Sequence, residues 1–171
     1  EPENIEILEQ KLETSKHLTR DEQSKSSLVP QLQKLALIYH KNGNIEKALY
    51  QVKEALQIEP DNYTCHEYSS QWYLESGDKE SAANEFRYLF KNTNNPGDIN
   101  KKIAFGESCI AIIENDCDLL LSLTALYHQT KNIKSEIATY YKLIQHTDIA
   151  RKAINYCYRI ICIDPIEIKA Y

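Results

Sequence analysis

Two stretches of this chain copy one another at a fixed distance. Residues 39–48 read YHKNGNIEKA and residues 73–82 read YLESGDKESA. Tyr39 and Tyr73, Gly43 and Gly77, and Ala48 and Ala82 are each 34 residues apart (73 against 39, 77 against 43, 82 against 48). A constant offset across an aromatic, a glycine and a small residue marks a stacked repeat, in which each unit buries its apolar face against the next. With 171 residues the chain has room for a short run of such units.

The residues around the match say what the unit is. Leu32, Leu35, Ala36 and Tyr39 recur at the three- and four-residue spacing that puts them on one face of a helix. Gly43 then supplies the positive φ that ends a helix and turns the chain. Ile45, Ala48, Leu49, Val52, Ala55 and Leu56 restart the rhythm, and Pro60, lacking an N–H, stops it. Ala48 is small enough to let the second helix approach the first closely. The pattern predicts two antiparallel helices of about 14 residues each, joined by a short turn. Only 4 glycines and 5 prolines occur in the whole chain, which favours helices over a turn-rich β fold.

This unit resembles the tetratricopeptide repeat, a helix–turn–helix of about 34 residues. With the first position at Val29, Leu35, Ala36 and Tyr39 fall on the family's first-helix core positions, Gly43 on its turn, and Ala48 and Ala55 on its small second-helix positions. Glu59-Pro60 closes the unit, and Leu32 replaces the usual large aromatic near its start. A second unit from Tyr63 keeps Tyr73, Gly77, Ala82 and Phe86, departs at Ser69 and Ser70, and has Asn94 where the closing proline would stand.

Beyond residue 95 the spacing dissolves while helical patterning persists. NNPGD (94–98) reads as a turn, followed by helices over 99–113, 119–129, 133–146 and 149–162. Two framings compete. Ala153 precedes Pro165 by 12 residues, as Ala48 precedes Pro60, which makes 149–162 a second helix. YHQTKNI (127–133) instead echoes YHKNGNI (39–45), which spans a turn from first helix to second. The resemblance implies an all-α, right-handed solenoid of stacked antiparallel helix pairs forming one domain over 1–171. Its expected parts are an N-terminal helix at 3–20, repeats at 29–62 and 63–96, a degenerate pair at 97–132 and a degenerate repeat at 133–165. PIEIKAY (165–171) reads as the first turn of a further helix, as in a piece of a longer solenoid.

Chemistry-bearing patterns are sparse. The net charge of −5, without a run of one sign, argues against a nucleic-acid partner. No segment approaches the roughly 20 apolar residues that span a bilayer. Cys65, Cys109, Cys117, Cys157 and Cys162 form no CxxC pair and read as small buried hydrophobes, as expected in the cytoplasm. His17, His40, His66, His128 and His146 make no HxxxH pair, and neither phosphate-binding glycine pattern is present. No catalytic, metal or cofactor site is expected.

The resemblance implies instead a scaffold that binds another protein, with a peptide or helix of the partner lying along the first helices. The family's groove positions fall on Gln33, Leu37, His40 and Lys41, then on Glu67, Gln71, Leu74 and Glu75, with Lys101 and Phe105 following if a third unit starts at Gly97. The Lys and Asn clamp by which some family members grip chaperone C-termini is absent, because Gln33, Leu37 and Gln71 stand where it would be. Trp72, beside the core Tyr73, is expected to pack against a neighbouring helix pair or to anchor a partner. A structural or self-associating segment of a larger assembly, homo-oligomers included, is the alternative, as is a regulatory module of an enzyme whose catalytic domain lies elsewhere.

Overall fold

The computed structural model describes residues 5–18 and 26–165, and among these the chain forms nine α-helices, one 3-10 turn and no strand. They are α1 (Ile5–Leu18), α2 (Val29–Lys41), α3 (Ile45–Ile58), α4 (Tyr63–Ser76), α5 (Lys79–Asn92), α6 (Ile99–Ile112), α7 (Cys117–Gln129), α8 (Ile133–Gln145) and α9 (Ala150–Ile163), with the 3-10 turn at Pro96–Asp98. Consecutive helices joined by short turns give the all-α helical repeat solenoid that the spacing predicts. All but the first residue of the expected turn of helix at 165–171, and parts of the helix expected at 3–20, lie outside the described residues. None of the described helices is long and apolar enough to cross a membrane. The chain divides into two compact units, residues 1–89 and 90–171.

In the first unit, α2 lays Leu32, Leu35, Ala36 and Tyr39 against Ala48, Leu49, Val52 and Ala55 of α3, and all eight are buried. Ala36, Ala48 and Ala55 have no exposed surface, so the backbones meet where the side chains are smallest. Each large aliphatic residue sealed this way contributes roughly 1.5–3 kcal/mol. The turn between the helices is fully bonded. The N–H groups of Asn42, Gly43 and Asn44 donate to the carbonyls of Ile38, His40 and Tyr39. Gly43 adopts φ +76°, and the Asn44 side chain accepts from the Lys47 N–H to start α3. The hydroxyl of buried Tyr39 donates to Glu9 of α1, and burial together with that carboxylate pushes its pKa up to about 12.

Ser69 and Ser70, where the second repeat departs from the family pattern, are buried in α4. Their hydroxyls donate back to the carbonyls of Cys65 (3.0 Å) and Glu67 (2.9 Å). Small volume is kept and the polar atoms are satisfied within the helix itself. Gly77 closes α4 at φ +85°, and α5 buries Ala82, Ala83, Phe86 and Leu89.

In the second unit α6 crosses α7 at Gly106, where an added Cβ would meet Leu123 at 2.7 Å and the Phe90 ring at 3.0 Å. The turn from α7 to α8 then repeats the geometry of the Gly43 turn. The N–H groups of Thr130, Lys131 and Asn132 donate to the carbonyls of Leu126, His128 and Tyr127, and Asn132 caps α8 by accepting from Ser135. Lys131 stands in the glycine's place with φ 57°, the one non-glycine residue of positive φ among those described. Of the five cysteines, Cys65 and Cys109 are buried, but Cys157 and Cys162 lie exposed on α9, against the expectation of five small core residues. That helix buries only Ile160 and turns its remaining apolar stripe outward.

The two turns make a matched test. An L-residue in the left-handed region costs about 1–2 kcal/mol, while glycine costs about 1 kcal/mol of extra chain entropy. Lys131→Gly is therefore expected to stabilise the fold by about 0.5–1 kcal/mol, and Gly43→Ala to destabilise it by about 1 kcal/mol, in urea unfolding. No atom lies within 4 Å of a Cβ at position 43, so backbone strain alone sets that result.

Candidate functional site

The Gly43 and Gly77 turns return the chain so that α2 and α4 bond to one another. Gln33 Nε2 donates to Asn62 Oδ1 (3.0 Å) at the start of α4, where Asn62 also accepts from the Cys65 N–H (3.1 Å). At the other end His40 Nε2 meets Glu75 Oε2 at 2.7 Å. Between these ties runs an aromatic column. The His40 ring stacks on Trp72 with centroids 4.8 Å apart, and Trp72 stacks on Tyr68 at 5.2 Å. Trp72 is only 4% exposed, so it packs rather than projects. Tyr68 carries no signal in the repeat spacing; its pairing with Trp72 is a four-residue helical neighbour contact.

Of the expected lining residues, Gln33, Leu37, His40 and Glu67 are half-buried, whereas Lys41, Gln71, Leu74 and Glu75 are exposed. The structure thus brings Gln33, His40 and Glu75 into one bonded face and leaves Gln71 and Leu74 open on it; Leu74 is 43% exposed. Lys101 and Phe105 belong to the second unit. Lys101 is exposed, with its Nζ 5.9 Å from the Phe105 ring centroid. Phe105 itself is buried at 8% exposure, and this corrects the expectation that its ring faces a ligand: it fills the core of α6.

Elsewhere in the first unit, α4 turns a histidine inward. His66 is 8% exposed, its Nδ1 lies 2.5 Å from Glu85 Oε2 and its Nε2 2.8 Å from the Pro60 carbonyl. Tyr88 stacks on the ring at 3.7 Å and donates its hydroxyl to Asp61 (3.0 Å). Both ring nitrogens face acceptors, so the imidazolium, with two N–H donors, satisfies the site. Burial by itself lowers the pKa of His66. The Glu85 hydrogen bond, the Pro60 carbonyl and the charges of Glu85 and Asp61 outweigh burial and hold it above the ordinary 6.5. Among the described residues no three His, Cys, Asp or Glu side chains converge as a metal site would require.

Residues 31–62, which span α2, its turn, α3 and the approach to α4, match the family model of the tetratricopeptide repeat. That segment is a tetratricopeptide repeat. No curated protein matches it in sequence. Among solved structures it is similar to nearly identical tetratricopeptide-like repeats assigned to a kinesin light chain of Podospora anserina, with 16% identity and a TM-score of 0.53 over 93% of this chain and 84% of that one. A variant of the same repeats matches with the same identity and TM-score over 96% and 87% of the two chains. PilF of Pseudomonas aeruginosa aligns over 97% of this chain and 95% of its own at 12% identity and a TM-score of 0.39. At 16% identity the two kinesin light chain likenesses speak for the fold alone, and the tetratricopeptide fold is in general one that binds proteins.

A folded-state pKa raised above the unfolded value gives stability that is complete below the unfolded pKa and lost as pH rises through the folded one. His66→Gln is therefore expected to cost about 2 kcal/mol near pH 6. The gap from the parent protein should narrow as the pH is raised through and above 6.5 in urea titrations. A gap that stays constant across that range would remove the charged histidine from the account.

Proposed function

We propose that this tetratricopeptide-repeat protein is a binding scaffold which takes a peptide or helical segment of a partner protein against the face built by α2 and α4. It works without chemistry of its own, and its five free cysteines suit a reducing compartment such as the cytoplasm. The observation that carries this reading is the column of Tyr68, Trp72 and His40, locked by Glu75 across two helices, beside the open side chains of Gln71 and Leu74. Side chains already fixed by stacking and hydrogen bonding lose little entropy when a ligand arrives, which is what a preformed binding face requires. Polar Gln71, apolar Leu74 and the mixed charges of Lys41 and Glu75 offer both main-chain bonding and apolar contact to a segment of either conformation.

A second reading, a structural segment of a larger assembly, is favoured by a different observation. Ile154, Tyr158 and Ile161 of α9 are 67%, 67% and 42% exposed and follow helical spacing.

The double variant Gln71→Ala, Leu74→Asp separates the two. Both positions are exposed, so the fold should be retained, as circular dichroism and unchanged melting would show. Affinity capture with the intact protein should lose a defined partner, with affinity falling about tenfold or more. If every captured partner binds the variant as it binds the parent, the α2–α4 face is not the docking surface.

A further inference from the structure

One short turn touches both the buried His66 and the tie between α2 and α4. Residues 59–62 join α3 to α4. Within them the Asn62 N–H donates to the Glu59 carbonyl (3.1 Å) and Asn62 Nδ2 to Glu59 Oε2 (2.8 Å). Pro60, between the two, has a fixed φ, so the turn moves as a piece. One side of it carries the Pro60 carbonyl, 2.8 Å from His66 Nε2. The other carries Asn62 Oδ1, which accepts from Gln33 Nε2 of α2 (3.0 Å) and from the Cys65 N–H at the start of α4 (3.1 Å). Imidazole, turn and interhelical tie form one hydrogen-bonded chain.

The number of protons on the ring decides whether that chain closes. With both nitrogens protonated, Nδ1 donates to Glu85 Oε2 across 2.5 Å and Nε2 donates to the Pro60 carbonyl. Loss of one proton leaves one donor for two acceptors. The carboxylate is the stronger acceptor, so the remaining proton stays on Nδ1. Nε2 then turns a lone pair toward the Pro60 oxygen, and an attraction becomes a repulsion. The ring is held in place by Glu85 and by Tyr88 of α5, which stacks on it at 3.7 Å. The strain therefore falls on the turn, whose Pro60 and Asn62 lie either side of the bond from the Tyr88 hydroxyl to Asp61 (3.0 Å).

The charges that bear on His66 are Glu85 from α5 and Asp61 from the turn, and both favour the protonated ring. Its neighbour Cys65 is a buried thiol whose Sγ accepts from Gln33 Nε2 at 3.2 Å, and burial pushes its pKa up.

We propose that the protonation of His66 sets the geometry of the α2–α4 face through the 59–62 turn: the doubly protonated ring holds Asn62 where it receives Gln33, and loss of one proton loosens α2 from α4. The folded chain holds the ring's proton above the ordinary 6.5, so the tie is complete below 6.5 and is lost as pH rises through the folded-state value. Its consequence for binding rests on the α2–α4 face being the docking surface: a segment that needs the tied face binds more tightly to the protonated chain.

Nuclear magnetic resonance of the full chain tests the relay with no partner present, so its failure is distinct from a failure of the docking face. As pH is raised through and above 6.5, the His66 ring should titrate to its Nδ1–H tautomer. The side-chain amide resonances of Gln33 and Asn62 should follow with the same midpoint. Coupling is reciprocal, so Gln33→Ala, which cuts the tie, should lower the His66 midpoint by about 0.7 pH unit, a roughly fivefold weaker hold on the proton. Gln71→Ala, exposed on the same face but outside the chain of bonds, should leave it unchanged. His40→Gln, which removes the other histidine of α2 to α5, should leave both amide responses in place, and His66→Gln should abolish them. Should His66→Gln not fold, Gln33→Ala and Gln71→Ala decide the matter alone. Amide resonances that stay fixed while the ring titrates, a midpoint unmoved by Gln33→Ala, or a neutral ring that keeps its proton on Nε2 would each overturn the proposal.

Discussion

A left-handed residue closing one helix, with the next helix capped by an asparagine one position later, is the constraint from which the rest of each unit follows. At Gly43 and again at Lys131 that single backbone angle lets three N–H groups return to the carbonyls of the finished helix. The chain reverses without stranding polar groups, and the second helix starts already facing the first. Only then can Ala36 and Ala48 be placed where both are fully buried. The apolar pattern of the helices would be satisfied by many arrangements; the turn selects one.

That constraint explains what could be read in the sequence and what could not. The first repeat was legible because glycine, alanine and proline occupy the positions where backbone angle, close approach and chain termination demand them. The helices after residue 95 were legible as helices, since apolar periodicity survives the loss of those markers. The register there was not settled, because the turn uses Lys131 where glycine would announce it, and the 34-residue ladder is interrupted by Pro96–Asp98 and α6. The echo at 127–133 points to one framing, and Ala153 and Pro165, spaced as Ala48 and Pro60 are, point to the other.

The candidate site divides along the same line. Groove positions on α2 and α4 came from a resemblance carried by the firm repeats, and the structure joins Gln33, His40 and Glu75 across the two helices. Phe105 is reached only by extending the ladder beyond the two firm repeats, and its ring lies in the core. The aromatic column could not be foreseen from spacing, because stacking of His40 on Trp72 is a relation between helices and leaves no periodic trace. Nor could the role of His66, which depends on Glu85 and the Pro60 carbonyl arriving from elsewhere in the chain.

The last helix has a thermodynamic consequence of its own. Ile160 is the one fully buried side chain that α9 contributes, so its detachment exposes far less apolar surface than the loss of α2 or α3 would. Such a helix belongs to the low end of the range of local opening free energies. Anything that grips α9 in its packed position would be linked to that equilibrium: by mass action, its binding and the closure of the helix rise together.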